Sequence, residues 1–195
     1  MTLVNGSSHG LAKALTLRLV GMDEHTHVRH LHTKSMENQS ADSLTDAEIQ
    51  AFTAFVRSSA YSDILKEETL YGAFTEGQLI GTASWQVNGD DGQMARISSV
   101  FVDPMFLRLG IGGRLLTEVE ARAFQSGFNH LSISTTLNAI PFFEKAGYHI
   151  ASRGVKALGT SCLLPVAFLR KSVPRLARPA QAKAPAPPVA EPAKT

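Results

Sequence analysis

Hydrophobic and polar positions along this chain predict a mixed α/β domain over residues 14–173. Apolar side chains recur at helical spacing in residues 46–58, where Ile49, Phe52 and Val56 share one face, and again in residues 112–125. Alternating or β-branched apolar runs, separated by turns rich in glycine, asparagine and aspartate, predict strands. The predicted strands are 14–20, 69–74, 78–87, 93–102, 130–134, 148–157 and 161–171; the predicted helices are 22–36, 46–58, 112–125 and 139–145, with a turn or short helix at 61–65.

The most informative stretch is residues 95–116, which read ARISSVFVDPMFLRLGIGGRLL. Its strand must end before Pro104, because proline has no N–H to donate to a sheet. A glycine-rich turn then opens a helix, whose first N–H groups have no helical partner and carry partial positive charge. With Arg108 and Arg114 beside them, these N–H groups predict a site for a di- or polyphosphate at residues 108–114.

Two common phosphate-binding motifs are excluded by individual residues. A Walker loop ends in Gly-Lys-Ser or Gly-Lys-Thr, whereas Gly113 is followed by Arg114 and Leu115. A dinucleotide-binding fingerprint requires a third glycine, and Leu116 stands where that glycine would fall. Tight packing alone also explains glycine clusters at such turns, so the ligand must be identified from a further motif.

Two motifs together resemble those of the GNAT superfamily of N-acetyltransferases. The first is Val102-Asp103-Pro104 followed by residues 108–116, RLGIGGRLL, which looks like the acyl-CoA-binding motif of that superfamily. The second, residues 138–148, reads NAIPFFEKAGY and follows in the family's order and spacing. The resemblance implies a GNAT fold of the α+β type. In that fold a mixed, mostly antiparallel sheet of about seven strands is splayed between the central and fifth strands and flanked by about four helices.

The resemblance also implies that acetyl-CoA binds as a co-substrate along the splayed strands. Backbone groups of the central strand would pair with the pantetheine amides, and an N–H near Val100 would stabilise charge developing on the thioester oxygen. The glycine-rich turn would hold the diphosphate. Asn138 would either bond the pantetheine arm or cap the short helix that follows it. The predicted cofactor-binding residues are Val100, Phe101, Val102, Arg108, Leu109, Gly110, Ile111, Gly112, Gly113, Arg114 and Asn138.

The residues that would perform the chemistry are not identified by these motifs. Phe143 stands where many family members have the tyrosine that protonates the leaving CoA thiolate, and phenylalanine cannot donate a proton. Leu107 likewise stands where many members have a polar phosphate-binding side chain. The candidate catalytic residues are Tyr148, which also fits a packing role, Ser98 with Ser99 acting through water, and Tyr61 with its neighbours Asp63 and Glu68.

Four histidines, His25, His27, His30 and His32, lie in the first predicted helix. On a helix, His25 and His32 share one face while His27 and His30 share another, so the four do not converge on one metal ion. The pattern favours a polar, partly solvated helix near the acceptor side, and no metal is predicted.

Composition bears on partners and compartment. The 195 residues are 44% hydrophobic and 18% charged, which is typical of a soluble domain. The whole chain has a net charge of +2, and residues 174–195 contribute +3 of it, so residues 1–173 have a net charge of −1. A slightly acidic domain is not expected to bind nucleic acid. One cysteine, no apolar run long enough to span a bilayer and no visible secretory signal favour the cytoplasm. Residues 1–13 are predicted to be flexible, and the tail at 174–195, rich in proline and alanine, to be disordered.

These observations lead to one functional hypothesis and one alternative. We expect an acyltransferase that moves an acetyl group from acetyl-CoA to an amine by direct attack in a ternary complex. The acceptor would be a small-molecule or peptide amine, and no membrane partner is expected. Homodimers are common in the family, although no residue specifies an interface. The alternative is a non-catalytic acyl-CoA-binding module of the same fold, which the absent tyrosine would permit.

Overall fold

The structure is a computed structural model, and it describes residues 15–38, 44–88, 94–158 and 162–172. The predicted terminal segments at 1–13 and 174–195 lie outside the described residues. The segments after Asn88 and Leu158, for which the sequence predicts turns, also lie outside them.

Seven strands and five helices make up the described part of the chain. Each predicted strand is present, with ends that shift by a few residues. The turn or short helix expected at 61–65 is a helix of nine residues, so there are five helices rather than about four. The strands are β1 (Thr16–Leu19), β2 (Thr69–Thr75), β3 (Gln78–Asn88), β4 (Met94–Val102), β5 (His130–Thr136), β6 (His149–Leu158) and β7 (Cys162–Ser172); the helices are α1 (His25–Glu37), α2 (Asp46–Arg57), α3 (Ser59–Glu67), α4 (Ile111–Gln125) and α5 (Ile140–Lys145).

All seven strands form one sheet in the order β1-β2-β3-β4-β5-β7-β6. Every neighbouring pair is antiparallel except β4 and β5, which are parallel. Parallel neighbours need a crossover connection, and α4 supplies it between the two strands. The mixed, mostly antiparallel sheet expected from the sequence is therefore confirmed.

The parallel pair separates along its length. β4 and β5 are paired only where Met94–Arg96 faces His130–Ser132, whereas β5 continues to pair with β7 as far as Thr136. Just beyond this short pairing β4 contains a bulge, because Ser98 lies opposite Ser84 and Phe101 opposite Thr82. Ser99, inside the bulge, has a φ of 52°. A bulge bends its strand and increases its twist, so β4 turns away from β5 and a gap opens between them.

Two apolar clusters hold this arrangement together. The first packs the buried face of α4, including Leu115 and Val119, against sheet residues such as Ile97 and Leu131. The second gathers α1, α2 and α3 over the ends of β6 and β7. At Gly81 a Cβ atom would lie 2.9 Å from Leu115 Cδ1, so glycine is what allows α4 to lie this close to β3. None of the described helices is long and apolar enough to cross a membrane.

Candidate active site

A cleft of about 1230 Å³ occupies the gap between β4 and β5. The N-terminus of α4 lies along it, together with Val100, Phe101 and Val102 of β4. Ser134 and Thr135 of β5 line it as well, and Tyr61 and Glu68 line it from the α3 side. A second depression, of about 280 Å³, lies beside Lys34 and contains none of the predicted site residues. The large cleft is therefore the candidate active site, and its two ends differ in chemistry.

The first end is the N-terminus of α4, whose backbone N–H groups are the ones expected to bind an anion. Arg108 and Gly110 both adopt left-handed conformations, with φ of 64° and 78°, and they turn the chain into α4. The Arg114 N–H donates to the Gly110 carbonyl at 3.1 Å and so begins the helical ladder. The N–H groups of residues 111–113 precede it and have no acceptor within the helix. They carry the positive end of the helix dipole to the edge of the cleft.

Most of the predicted cofactor-binding residues line this cleft. Leu109 and Arg114 are exposed beside it, at the start of α4, and do not line the cleft itself. The N-cap of α5 is Ala139, and Asn138, which precedes it, lines the cleft wall. The residues that line the cleft are Val100, Phe101, Val102, Arg108, Gly110, Ile111, Gly112, Gly113 and Asn138.

The second end contains a carboxylate held by three serines. Glu68 follows α3, and its Oε1 accepts from Ser98 Oγ at 2.6 Å. Its Oε2 accepts from Ser99 Oγ at 2.7 Å and from Ser84 Oγ at 2.8 Å. Hydrogen bonds to an ionised acceptor are short and strong, and here they come from two different strands. The carboxylate is therefore held in one orientation at the wall of the cleft.

A second polar chain lies behind this carboxylate. His32 is fully buried, with Nδ1 bonded to the Tyr61 hydroxyl and Nε2 at 2.7 Å from Thr82 Oγ1. Thr82 in turn donates to the Ser99 carbonyl at 2.7 Å, inside the β4 bulge. Burial lowers the pKa of His32 to about 3, so the imidazole is neutral. Burial and then the Glu68 charge raise the pKa of Tyr61 above its ordinary value, so its hydroxyl stays protonated.

His32 was not singled out from the sequence as a site residue. It was expected on a partly solvated helix, which describes His25, His27 and His30 but is wrong for His32. The helical spacing could have predicted that His32 is buried, because it lies four residues after Val28 and four before Met36, and both of these are buried on the same face of α1. A histidine inside such an apolar stripe must find polar partners in the core.

The candidate catalytic residues divide into two groups. Ser98 and Tyr61 line the cleft, whereas Asp63 is exposed and forms an ion pair with Lys66 at 2.8 Å. Tyr148 is fully buried behind Phe143, with ring centroids 5.8 Å apart, and it does not line the cleft. Burial, and then the charge of Glu120, raise the pKa of its hydroxyl above the ordinary value. The geometry therefore favours packing, not proton donation, for Tyr148.

Comparison with known proteins places this geometry in a family. The model of the acetyltransferase (GNAT) family matches residues 26–148, which is more than half of the chain. The chain belongs to the GNAT family of acetyltransferases. Among curated proteins, none matches its sequence significantly.

Solved structures of GNAT proteins share the fold of this family member at low sequence identity. A GCN5-related N-acetyltransferase from Rhodopseudomonas palustris has a TM-score of 0.72 at 21% identity, covering 81% of this chain and 95% of that one. The PaiA N-acetyltransferase from Thermoplasma acidophilum, solved with coenzyme A, has a TM-score of 0.60 at 14% identity, covering 82% and 99%. The YncA protein from Salmonella typhimurium, solved with acetyl-CoA, has a TM-score of 0.59 at 14% identity, covering 85% and 97%.

Proposed function

We propose that this GNAT protein is an acetyl-CoA-dependent N-acetyltransferase that acetylates an amine by direct attack within a ternary complex. The observation that carries the proposal is the pairing of two unlike ends in one cleft. Unpaired helix N–H groups lie at one end, and a carboxylate held by three serines lies at the other. The acetyl-CoA and coenzyme A bound to the Salmonella and Thermoplasma proteins support the choice of co-substrate.

The anion end fits the diphosphate of acetyl-CoA. A Cβ atom built at Gly110 or Gly113 would meet nothing within 4 Å, so open space lies above the start of α4. The N–H groups of residues 111–113 and the Arg108 guanidinium would hold the phosphates there. The cleft-side backbone of residues 100–102 lies beyond the last β4–β5 pair and would bond the pantetheine amides as a strand would. An N–H near Val100 would also face the thioester oxygen.

Glu68 is the group best placed to take the proton from the amine. A carboxylate has about four lone-pair sites, and the serines occupy one on Oε1 and two on Oε2. The remaining site on Oε1 would accept the amine proton as nitrogen bonds to the acetyl carbon. The C–S bond then breaks, and sulfur leaves with its electron pair as a thiolate. Thiols have a pKa of about 8.5, so this departure can proceed without the tyrosine that Phe143 replaces, although more slowly.

Thiol release from acetyl-CoA, measured with a panel of amines, tests the proposal. The second end of the cleft, where Glu68 lies, is called the acceptor end. Its apolar walls include Phe52, Ile64 and Leu164, so the panel should include aromatic and aliphatic amines. Glu68→Gln should lower kcat by about 10²–10⁴-fold, because a general base is removed while the serine contacts are largely kept. Glu67→Gln is the matched control, since Glu67 is the adjacent exposed carboxylate.

Two results would contradict the proposal in different ways. Equal activity of the Glu68→Gln and Glu67→Gln proteins would exclude Glu68 as the base. Tight binding of coenzyme A by calorimetry, with no thiol release for any amine, would instead favour the non-catalytic acyl-CoA-binding module. Phe143 is the residue that keeps this alternative open, because it brings no proton donor to the cleft.

A further inference from the structure

The three hydrogen bonds that link Ser99, Thr82, His32 and Tyr61 behind the acceptor end together determine one set of hydrogen positions. The Ser99 carbonyl can only accept, so the single hydroxyl hydrogen of Thr82 points to it. Thr82 Oγ1 must then accept from His32 Nε2, which therefore carries the hydrogen. Since the buried imidazole is neutral, its Nδ1 is a bare acceptor, and the Tyr61 hydroxyl donates to it.

These hydrogen positions determine whether the Tyr61 hydroxyl acts as a donor or an acceptor toward the cleft. Its one hydrogen is directed away from the cleft to His32, so its oxygen presents only lone pairs there. Tyr61 and Glu68 both line the cleft, and the Glu68 charge is close enough to raise the pKa of the tyrosine. Two hydrogen-bond acceptors, one neutral and one anionic, therefore lie together at the acceptor end.

We propose that His32 is a positioning residue whose Nε2–H form makes Tyr61 an acceptor, so that Tyr61 and Glu68 together select a primary amine. A neutral primary amine has two N–H groups and one lone pair. The two N–H groups match Tyr61 and Glu68, which leaves the lone pair for the thioester carbon. A secondary amine has one N–H and leaves one buried acceptor unpaired, which is costly. The inference rests on the proposed acetyl transfer.

The form of His32 can be measured without any substrate. In full-length protein labelled with ¹⁵N-histidine, long-range ¹H–¹⁵N correlations at neutral pH should show His32 as the neutral Nε2–H form. Thr82→Val removes the acceptor for that hydrogen, so the ring should change to the Nδ1–H form and donate to Tyr61. Thr82→Ser keeps the hydroxyl and should keep the wild-type form. A charged or Nδ1–H imidazole in the wild-type protein would overturn the proposal.

The amine preference is tested with phenethylamine and N-methylphenethylamine as probes. Wild-type protein should prefer the primary amine by about tenfold in kcat/KM, the effect of one unpaired buried acceptor. Tyr61→Phe and Thr82→Val should reduce this ratio toward one, whereas Tyr71→Phe, in β2 outside the cleft, should not change it. A role of His32 in folding alone would alter stability and leave the ratio unchanged, and an unchanged ratio in both variants would overturn the proposal. If the wild-type protein acetylates neither amine, the preference fails, whereas the proposed function is decided by the full amine panel and the form of His32 by the spectra.

Discussion

The helix N-terminus at Gly112 allows a sharp test of the diphosphate site. A Cβ atom at this position would lie 3.5 Å from the Phe142 ring and from Val102 Cγ2, which is ordinary van der Waals contact. Unlike Gly110, Gly112 does not have a positive φ, so side chains can be introduced without backbone strain. Gly112→Ala should therefore fold normally and keep coenzyme A binding within a few-fold of wild type.

Gly112→Glu adds a negative charge at the place where the phosphates should lie. Two like charges about 4 Å apart repel by about 4 kcal/mol at an effective dielectric constant of 20. A loss of that size corresponds to roughly a thousandfold weaker binding. Gly112→Gln introduces nearly the same bulk without the charge, so the difference between these two variants isolates the electrostatic part.

Isothermal calorimetry with coenzyme A measures all four proteins on one scale. The affinities should fall in the order wild type, Ala, Gln and Glu, and the gap between Gln and Glu should narrow in high salt because salt screens charge. If the Glu variant binds coenzyme A as tightly as the Gln variant, the phosphates do not lie at the start of α4. Circular dichroism of each variant controls for misfolding.

Two further predictions concern residues away from the cleft ends. Tyr148→Phe should leave the rate of thiol release within about twofold of wild type, because the hydroxyl is buried behind Phe143; a loss of tenfold or more would restore Tyr148 as a proton donor. Glu24 has its pKa lowered to about 2, first by the hydrogen bond from Arg18 and then by the Gly21 N–H. Because its folded pKa is below the unfolded value of about 4.5, its contribution to stability is present above pH 4.5 and is lost as the pH falls toward 2. Glu24→Gln should therefore lower the Tm at pH 7 and make little difference near pH 2, and a difference independent of pH would refute the linkage.

The parts of the site that could be predicted are those made by neighbouring residues. The strand, the left-handed turn and the start of α4 all lie within residues 94–113, and their anion-binding groups belong to the backbone. The capping box at the start of α2 is equally local, because the Glu48 N–H donates to Thr45 Oγ1 at 3.3 Å, three residues away. The spacing of residues along the chain is sufficient to predict a structure when hydrogen bonds between near neighbours determine its geometry.

The acceptor end could not be predicted in this way. Glu68 meets Ser84 and Ser98 across 16 and 30 residues of chain, and His32 meets Thr82 across 50. No pattern in the sequence indicates that these side chains meet. Tyr148 is close to Phe143 in sequence, but its hydroxyl is buried in the core, in agreement with the packing role.

The sequence alone was sufficient for the order of strands and helices and for the glycine-rich turn that begins α4, because periodicity, proline and glycine act over a few residues. The tertiary structure decided which side chains line the second end of the cleft. The β4 bulge at Ser99 separates β4 from β5, and the packing of α1 against β3 and β4 places His32 next to Tyr61, which lines the gap together with Glu68. These contacts join residues that are far apart in sequence, so they form only when the whole domain folds and the entropy cost of ordering the chain has been overcome.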